Sequence, residues 1–102
     1  MMTFEQAAQS LRGQVDVLDQ AGDFRVSLTA ITDDSRAVQA GSLFVAIKGE
    51  QVDGHRYISS ALTSGAAAVV MHEAVAGIDV PYLRVADSRK ALGYLGSRFY
   101  GD

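Results

Sequence analysis

Gly41-Ser42-Leu43-Phe44-Val45-Ala46-Ile47-Lys48-Gly49-Glu50-Gln51-Val52-Asp53-Gly54-His55 is the stretch that decides the fold of this chain. Leu43 to Ile47 is an unbroken apolar run, too short for a helix and bounded by glycines, and it reads as a strand buried on both faces. Downstream, Tyr57, Ile58, Ala61 and Leu62 recur at helical spacing, and Gly65 stands where that helix should end. Ala66 to Met71 is a second apolar run of strand length. Strand, helix and strand with short connections predict a βαβ unit whose strands are parallel, and therefore an α/β fold.

A connection from Gly77 to Pro81 leads to Tyr82-Leu83-Arg84-Val85, a third expected strand. Asp87 then suits the N-cap of a final helix with Ala91, Leu92, Leu95 and Phe99 on its apolar side. On the other side, Thr3 followed by Gln6 is a capping-box pattern, and Phe4, Ala7, Ala8 and Leu11 continue it as a short amphipathic helix before Gly13. Val15 with Val17, then Phe24, Val26 and Leu28, alternate around Ala21-Gly22-Asp23, which predicts a hairpin. The expectation is one small α/β domain over residues 1–102, a mixed sheet with a parallel βαβ core. The final helix runs into Phe99-Tyr100-Gly101-Asp102 without a closing element, so a further unit beyond it is expected ahead of the alternative, a simple natural terminus.

Composition narrows the function classes. The chain has 102 residues, 48% of them hydrophobic, enough for one core and not two. Net charge is −3, and the 9 basic residues are scattered without the stripe that a nucleic-acid backbone requires. With no cysteine there is neither a disulfide framework nor a thiolate metal site. Residues 1–12 lack the apolar centre of a signal peptide, and no apolar stretch reaches membrane-spanning length. A soluble, untargeted protein with no nucleic-acid or membrane partner is expected.

Neither G-x-x-x-x-G-K-[ST] nor G-x-G-x-x-G is present, so no nucleotide phosphate loop of those kinds is encoded. His55 and His72 lack partners at zinc-ligand spacing and read as loop or surface residues, with no metal site expected. Asp33, Asp34 and Ser35 have the composition of an acid–base site and equally of a turn that satisfies its own backbone; residue chemistry alone favours the turn. Arg36 is expected to pair with an acid such as Asp53 and hold the two loops together. In Gly49 to His55, two glycines allow close backbone approach, while Glu50 and Gln51 offer acceptors and donors to a flat heterocycle such as uracil. A ligand loop and a purely structural one fit that segment about equally. Lys48 fits a phosphate-binding cation or a solvated strand end; Tyr57, Phe99 and Tyr100 read as packing residues.

Taken together, Asp34-Ser35-Arg36, Gly41-Ser42-Leu43-Phe44-Val45-Ala46, Gly49-Glu50-Gln51-Val52-Asp53-Gly54-His55 and Gly65-Ala66-Ala67-Ala68-Val69-Val70 resemble the N-terminal domain of the Mur ligases of the MurE and MurF types. The resemblance covers most of the chain from Thr32 to Tyr100. It implies a cytoplasmic, three-domain peptidoglycan ligase of which this is the UDP-binding domain, the central ATP-binding and C-terminal amino-acid domains being absent. The implied substrate is UDP-N-acetylmuramoyl-L-alanyl-D-glutamate, to which meso-diaminopimelate or L-lysine is added. No cofactor belongs to this domain and no catalytic residue is assigned to it; ATP and Mg2+ are implied for the whole ligase. By resemblance, the nucleotide contacts fall on Asp33 and Ser35 in the first loop and on Glu50, Gln51 and Val52 in the second. Val85-Ala86-Asp87-Ser88-Arg89-Lys90-Ala91-Leu92, closing on Phe99-Tyr100-Gly101, is more similar to the MurE type. The alternatives are a MurF-type D-alanyl-D-alanine-adding ligase and a free-standing interaction module of the same fold.

Overall fold

Leu43, Phe44 and Val45 have no solvent exposure in the computed structural model, which describes residues 2–101 and leaves Met1 and Asp102 outside the described residues. They lie in β5 (Ser42–Val45), the middle of a chain that runs β1 (Met2–Thr3), α1 (Phe4–Leu11), β2 (Val17–Ala21), β3 (Ser27–Leu28), β4 (Ala30–Thr32), β5, α2 (Ile58–Thr63), β6 (Ala68–Met71), β7 (Tyr82–Val85) and α3 (Ser88–Gly96). The main sheet has the order β2-β7-β6-β5-β4. Strands β4 to β7 are mutually parallel and β2 runs antiparallel to β7 at one edge.

Alternation along the strands builds two cores. Leu43, Val45, Ala68, Val70, Leu83 and Val85 cluster with Phe4, Leu11, Ala91 and Leu95 of α1 and α3. Phe44, Ala46, Val69 and Met71 cluster with Ile58 and Ala61 of α2. The central strands are therefore covered on both faces, which is why they read as continuous apolar runs.

The helix ends follow their sequence signals. Thr3 Oγ1 accepts from the Gln6 N–H at 3.2 Å while Gln6 Oε1 accepts from the Thr3 N–H at 2.9 Å, a reciprocal box at the start of α1. Gly65 has φ +105°, and the N–H groups of Gly65 and Ala66 donate to Leu62 O and Ala61 O, closing α2 with the paired bonds that a left-handed residue permits. Asp87 caps α3 through the Lys90 N–H at 3.0 Å. Beyond Gly96 the chain widens into a π-helical turn, Ser97–Gly101, and the Tyr100 hydroxyl accepts from Ile31 N–H at 2.9 Å and donates to Ile31 O at 3.3 Å.

The expected hairpin does not form. β2 pairs with β7 instead, Gln20 opposite Leu83, and β3 pairs with β1 in a separate two-stranded ribbon. The reason lies in the start of α1, whose first N–H groups need acceptors. Phe4 N–H donates to Val26 O at 2.9 Å and Glu5 N–H to Phe24 O at 2.8 Å, with the Phe4 and Phe24 rings stacked 4.5 Å apart. Those contacts remove the second alternating stretch as a partner for the first. Strand β4 was not expected at all; its three residues supply a fourth parallel strand.

Candidate functional site

Because β4 to β7 are parallel, the segments that leave their carboxyl ends emerge at one end of the sheet, where ligands sit in open α/β sheets. The segment after β4 carries Asp33 to Arg36, and the one after β5 runs from Ala46 to the 3-10 turn Gly54–Tyr57. Between them lies a cleft of about 660 Å³. Asp33, Asp34, Ser35 and Arg36 line one side; Gly49, Val52 and Gly54 come from the second loop; Phe44 and Ile47 add apolar surface. Tyr57 and Arg89, the latter in the first turn of α3, complete it.

The first loop is a self-satisfied turn. Thr32 Oγ1 accepts from Asp34 N–H at 3.0 Å, and Asp34 Oδ1 accepts from Arg36 N–H at 2.9 Å. The Arg36 guanidinium folds back onto the same carboxylate, Nε to Oδ1 at 3.0 Å and Nη2 to Oδ2 at 3.1 Å. Those side-chain bonds, with the backbone bond second, hold the Asp34 carboxyl below the usual range. Arg36 therefore does not reach across to Asp53, because a partner two residues away satisfies its planar fork first.

The second loop is a small backbone-braced excursion. Gly49 N–H donates to Val52 O and Gly54 N–H to Ile47 O, both at 2.8 Å, and Lys48 and Asp53 form an antiparallel bridge. Gly54 is needed for proximity: a Cβ there would lie 2.7 Å from Ile47 N and 2.9 Å from Ile47 O. Glu50 and Gln51 occupy the exposed tip.

Asp53 and His55 anchor this loop to the next strand. Asp53 Oδ1 accepts the His55 N–H at 3.0 Å and lies 2.7 Å from His55 Nδ1. His55 Nε2 accepts the backbone N–H groups of His72 and Glu73, both at 3.0 Å, so the ring proton sits on Nδ1 and is donated to Asp53. His55 is a loop residue, as one of the two expectations had it, and not a surface one: it is 8% exposed, because its two nitrogens close a backbone gap at the end of β6. Asp53, His55 and Glu73 bring potential ligand atoms within 4.8 Å of one another, but both nitrogens of His55 are already engaged. The pair holds the loop; it leaves no ring nitrogen for an ion or for proton transfer.

Of the residues expected to bind, Asp33, Ser35 and Val52 line the cleft. Glu50 and Gln51 do not; they line an adjoining depression of about 310 Å³ that shares Gly49, Val52 and Tyr57 with it. Lys48 borders that smaller depression and pairs with Glu73 at 3.6 Å. Tyr57, read as a packing residue, is 43% exposed with its surface on both hollows. Arg89 was missed, since nothing in the spacing of α3 links it to loops far upstream in the sequence. No helix among the described residues is long and apolar enough to cross a membrane.

Residues 27–100 match the Mur ligase family, catalytic domain. The chain is similar to two relatives named UDP-N-acetylmuramoyl-L-alanyl-D-glutamate--2,6-diaminopimelate ligase. That of Chlorobium phaeobacteroides is 45% identical over 93 residues, covering 86% of this chain and 18% of the relative. That of Parabacteroides distasonis is 43% identical over 96 residues, covering 92% and 20%. Among solved structures, MurF from Acinetobacter baumannii superposes with a TM-score of 0.73 at 30% identity, over 93% of this chain and 20% of that one. The chain spans about a fifth of the length of the relatives it matches. By the family match over residues 27–100 and a five-stranded, mostly parallel sheet shared with a solved member, the chain belongs to the Mur ligase family and has the fold of its N-terminal domain.

Proposed function

We propose that this chain is the UDP-substrate-binding domain of a MurE-type ligase of peptidoglycan synthesis, working in the cytoplasm on UDP-N-acetylmuramoyl-L-alanyl-D-glutamate. The observation that carries the reading is the meeting of Asp33, Ser35 and Val52 in one cleft at the carboxyl ends of adjacent parallel strands. A carboxylate, a hydroxyl and backbone groups beside the Tyr57 ring suit a polar heterocycle and its sugar. Glu50 and Gln51, on the adjoining depression, would meet a part of the ligand that extends past Val52.

On this reading residues 1–102 are one domain of a three-domain enzyme, and their work is positioning. Fixing the nucleotide end restricts where the distant D-glutamate carboxylate can be, which lowers the entropic cost of bringing it to the activating nucleotide. ATP and Mg2+ are assigned to the rest of the ligase, a reading supported by the lack of a G-x-x-x-x-G-K-[ST] phosphate loop in this sequence. The relatives named as diaminopimelate ligases favour the MurE type, and the structural likeness to MurF keeps D-alanyl-D-alanine addition as the second reading.

Equilibrium dialysis with labelled UDP-N-acetylmuramoyl-L-alanyl-D-glutamate, alongside an ATPase assay, tests the proposal. Saturable binding without ATP turnover is expected. Absence of binding at millimolar ligand, or ATP hydrolysis by the chain alone, would sink it.

A further inference from the structure

We infer that Arg89 is the phosphate-binding cation of the cleft and holds the diphosphate of the nucleotide, an assignment that rests on the nucleotide reading proposed above. Four charged side chains line the cleft: Asp33, Asp34, Arg36 and Arg89. Arg36 and Asp34 neutralise each other through a two-point fork at 3.0 and 3.1 Å. Arg89 makes no hydrogen bond or ion pair among the described residues, which leaves its guanidinium and the Asp33 carboxylate as the two unpaired charges of the hollow, Arg89 being the unpaired cation of the lining.

Its position in the helix points the same way. Arg89 is the second residue of α3, after the Asp87 cap and Ser88. The first turn of a helix carries the positive end of the backbone dipole and disfavours cations there. Lys90 beside it lines a different depression, which contains the carboxylates of Asp16 and Asp87. On the cleft side Arg89 shares the lining with Asp33 and forms no ion pair with it. An unpaired guanidinium held against the dipole at the edge of a ligand-sized hollow suits an arriving anion, and its planar fork matches two phosphate oxygens. Lys48, the other candidate cation by sequence, faces the smaller depression and is paired with Glu73 at 3.6 Å. The anionic end of the ligand is thereby directed toward α3.

Two-dimensional NMR titrations of the labelled chain and of its Arg89→Ala and Arg89→Lys variants, each with UDP and with uridine, test this. Arg89 is exposed, so both variants should keep the parent fold, which the spectra report directly. Loss of one charge-assisted contact predicts UDP binding about tenfold weaker in Arg89→Ala, with part of the loss restored in Arg89→Lys. Uridine shifts should be the same in all three proteins, and the UDP difference should shrink at high salt. Unchanged UDP affinity in Arg89→Ala, or an equal loss for UDP and uridine, overturns the role of Arg89 and leaves the nucleotide reading standing. A parent chain that responds to neither ligand overturns that reading and Arg89's role with it.

Discussion

Asp53 Oδ1 lies 2.7 Å from His55 Nδ1 and accepts the His55 backbone N–H at 3.0 Å, so one carboxylate oxygen fixes both the turn and the tautomer of the ring. The opposite nitrogen is thereby free to accept two backbone N–H groups at the end of β6. Removing the ring in His55→Ala orphans those two donors and opens a cavity beside a buried strand end, at a cost of about 2–4 kcal/mol. Urea unfolding measures it. A loss below about 1 kcal/mol would show that water replaces the ring without penalty.

The same carboxylate sets an acid dependence. The His55 backbone N–H, and then its ring, hold the Asp53 carboxyl below the ordinary range. A carboxyl depressed in the folded state binds fewer protons there than in the unfolded chain. Its contribution to stability is therefore complete above the unfolded value of about 3.9 and is lost as pH falls through the lower folded value. Asp23, lowered to about 2 by the Arg25 side chain, has the same sign, but that pair is fully exposed and screened by salt. Asp53→Asn keeps an acceptor oxygen and does not titrate. Its unfolding midpoint should decline less steeply than the parent's below about pH 4, and equal slopes would remove Asp53 from the acid response.

Two glycines should respond oppositely to alanine. Gly54→Ala drives a Cβ against Ile47 backbone atoms at 2.7 and 2.9 Å, so the loop must shift, at a cost of about 1–3 kcal/mol. Gly93, inside α3, has nothing within 4 Å of the added carbon, and Gly93→Ala should stabilise by up to about 1 kcal/mol. Thermal melts of both variants check the pair; equal shifts would mean that Gly54 is not closely packed.

Tyr100→Phe removes the hydroxyl that serves both backbone groups of Ile31 on the free side of β4. A loss of about 0.5–1.5 kcal/mol is expected, with faster amide exchange at Ile31. Unaltered exchange at Ile31 would show that the tyrosine is not covering that edge.

Much of this architecture was legible because local signals and the fold agree. Leu43 to Ile47 and Ala66 to Met71 announced buried strands, Gly65 ended α2, and Asp87 and Thr3 capped their helices as their side chains predict. What failed depended on partners distant in sequence. Alternation at Val15 and Val17 marks a strand without naming β7 as its neighbour, and Ala30-Ile31-Thr32 is too short to signal a strand by itself. The two loops that flank the cleft stood out through their polar residues and, in the second, through Gly49 and Gly54. The burial of His55 was not, since it is decided by two backbone N–H groups beyond β6, and Arg89 enters the cleft only because β7 delivers α3 beside β5 and β4.

The nucleotide is expected to occupy the cleft between the loops after β4 and β5. Residue-resolved NMR shifts on titrating the labelled chain with UDP-N-acetylmuramoyl-L-alanyl-D-glutamate test it most directly. The largest shifts are expected at Asp33 through Ser35, Gly49 through Val52, Tyr57 and Arg89, with the Met2 and Gln6 side of α1 unmoved. Shifts centred on α1 or on β2, with those residues silent, would contradict it.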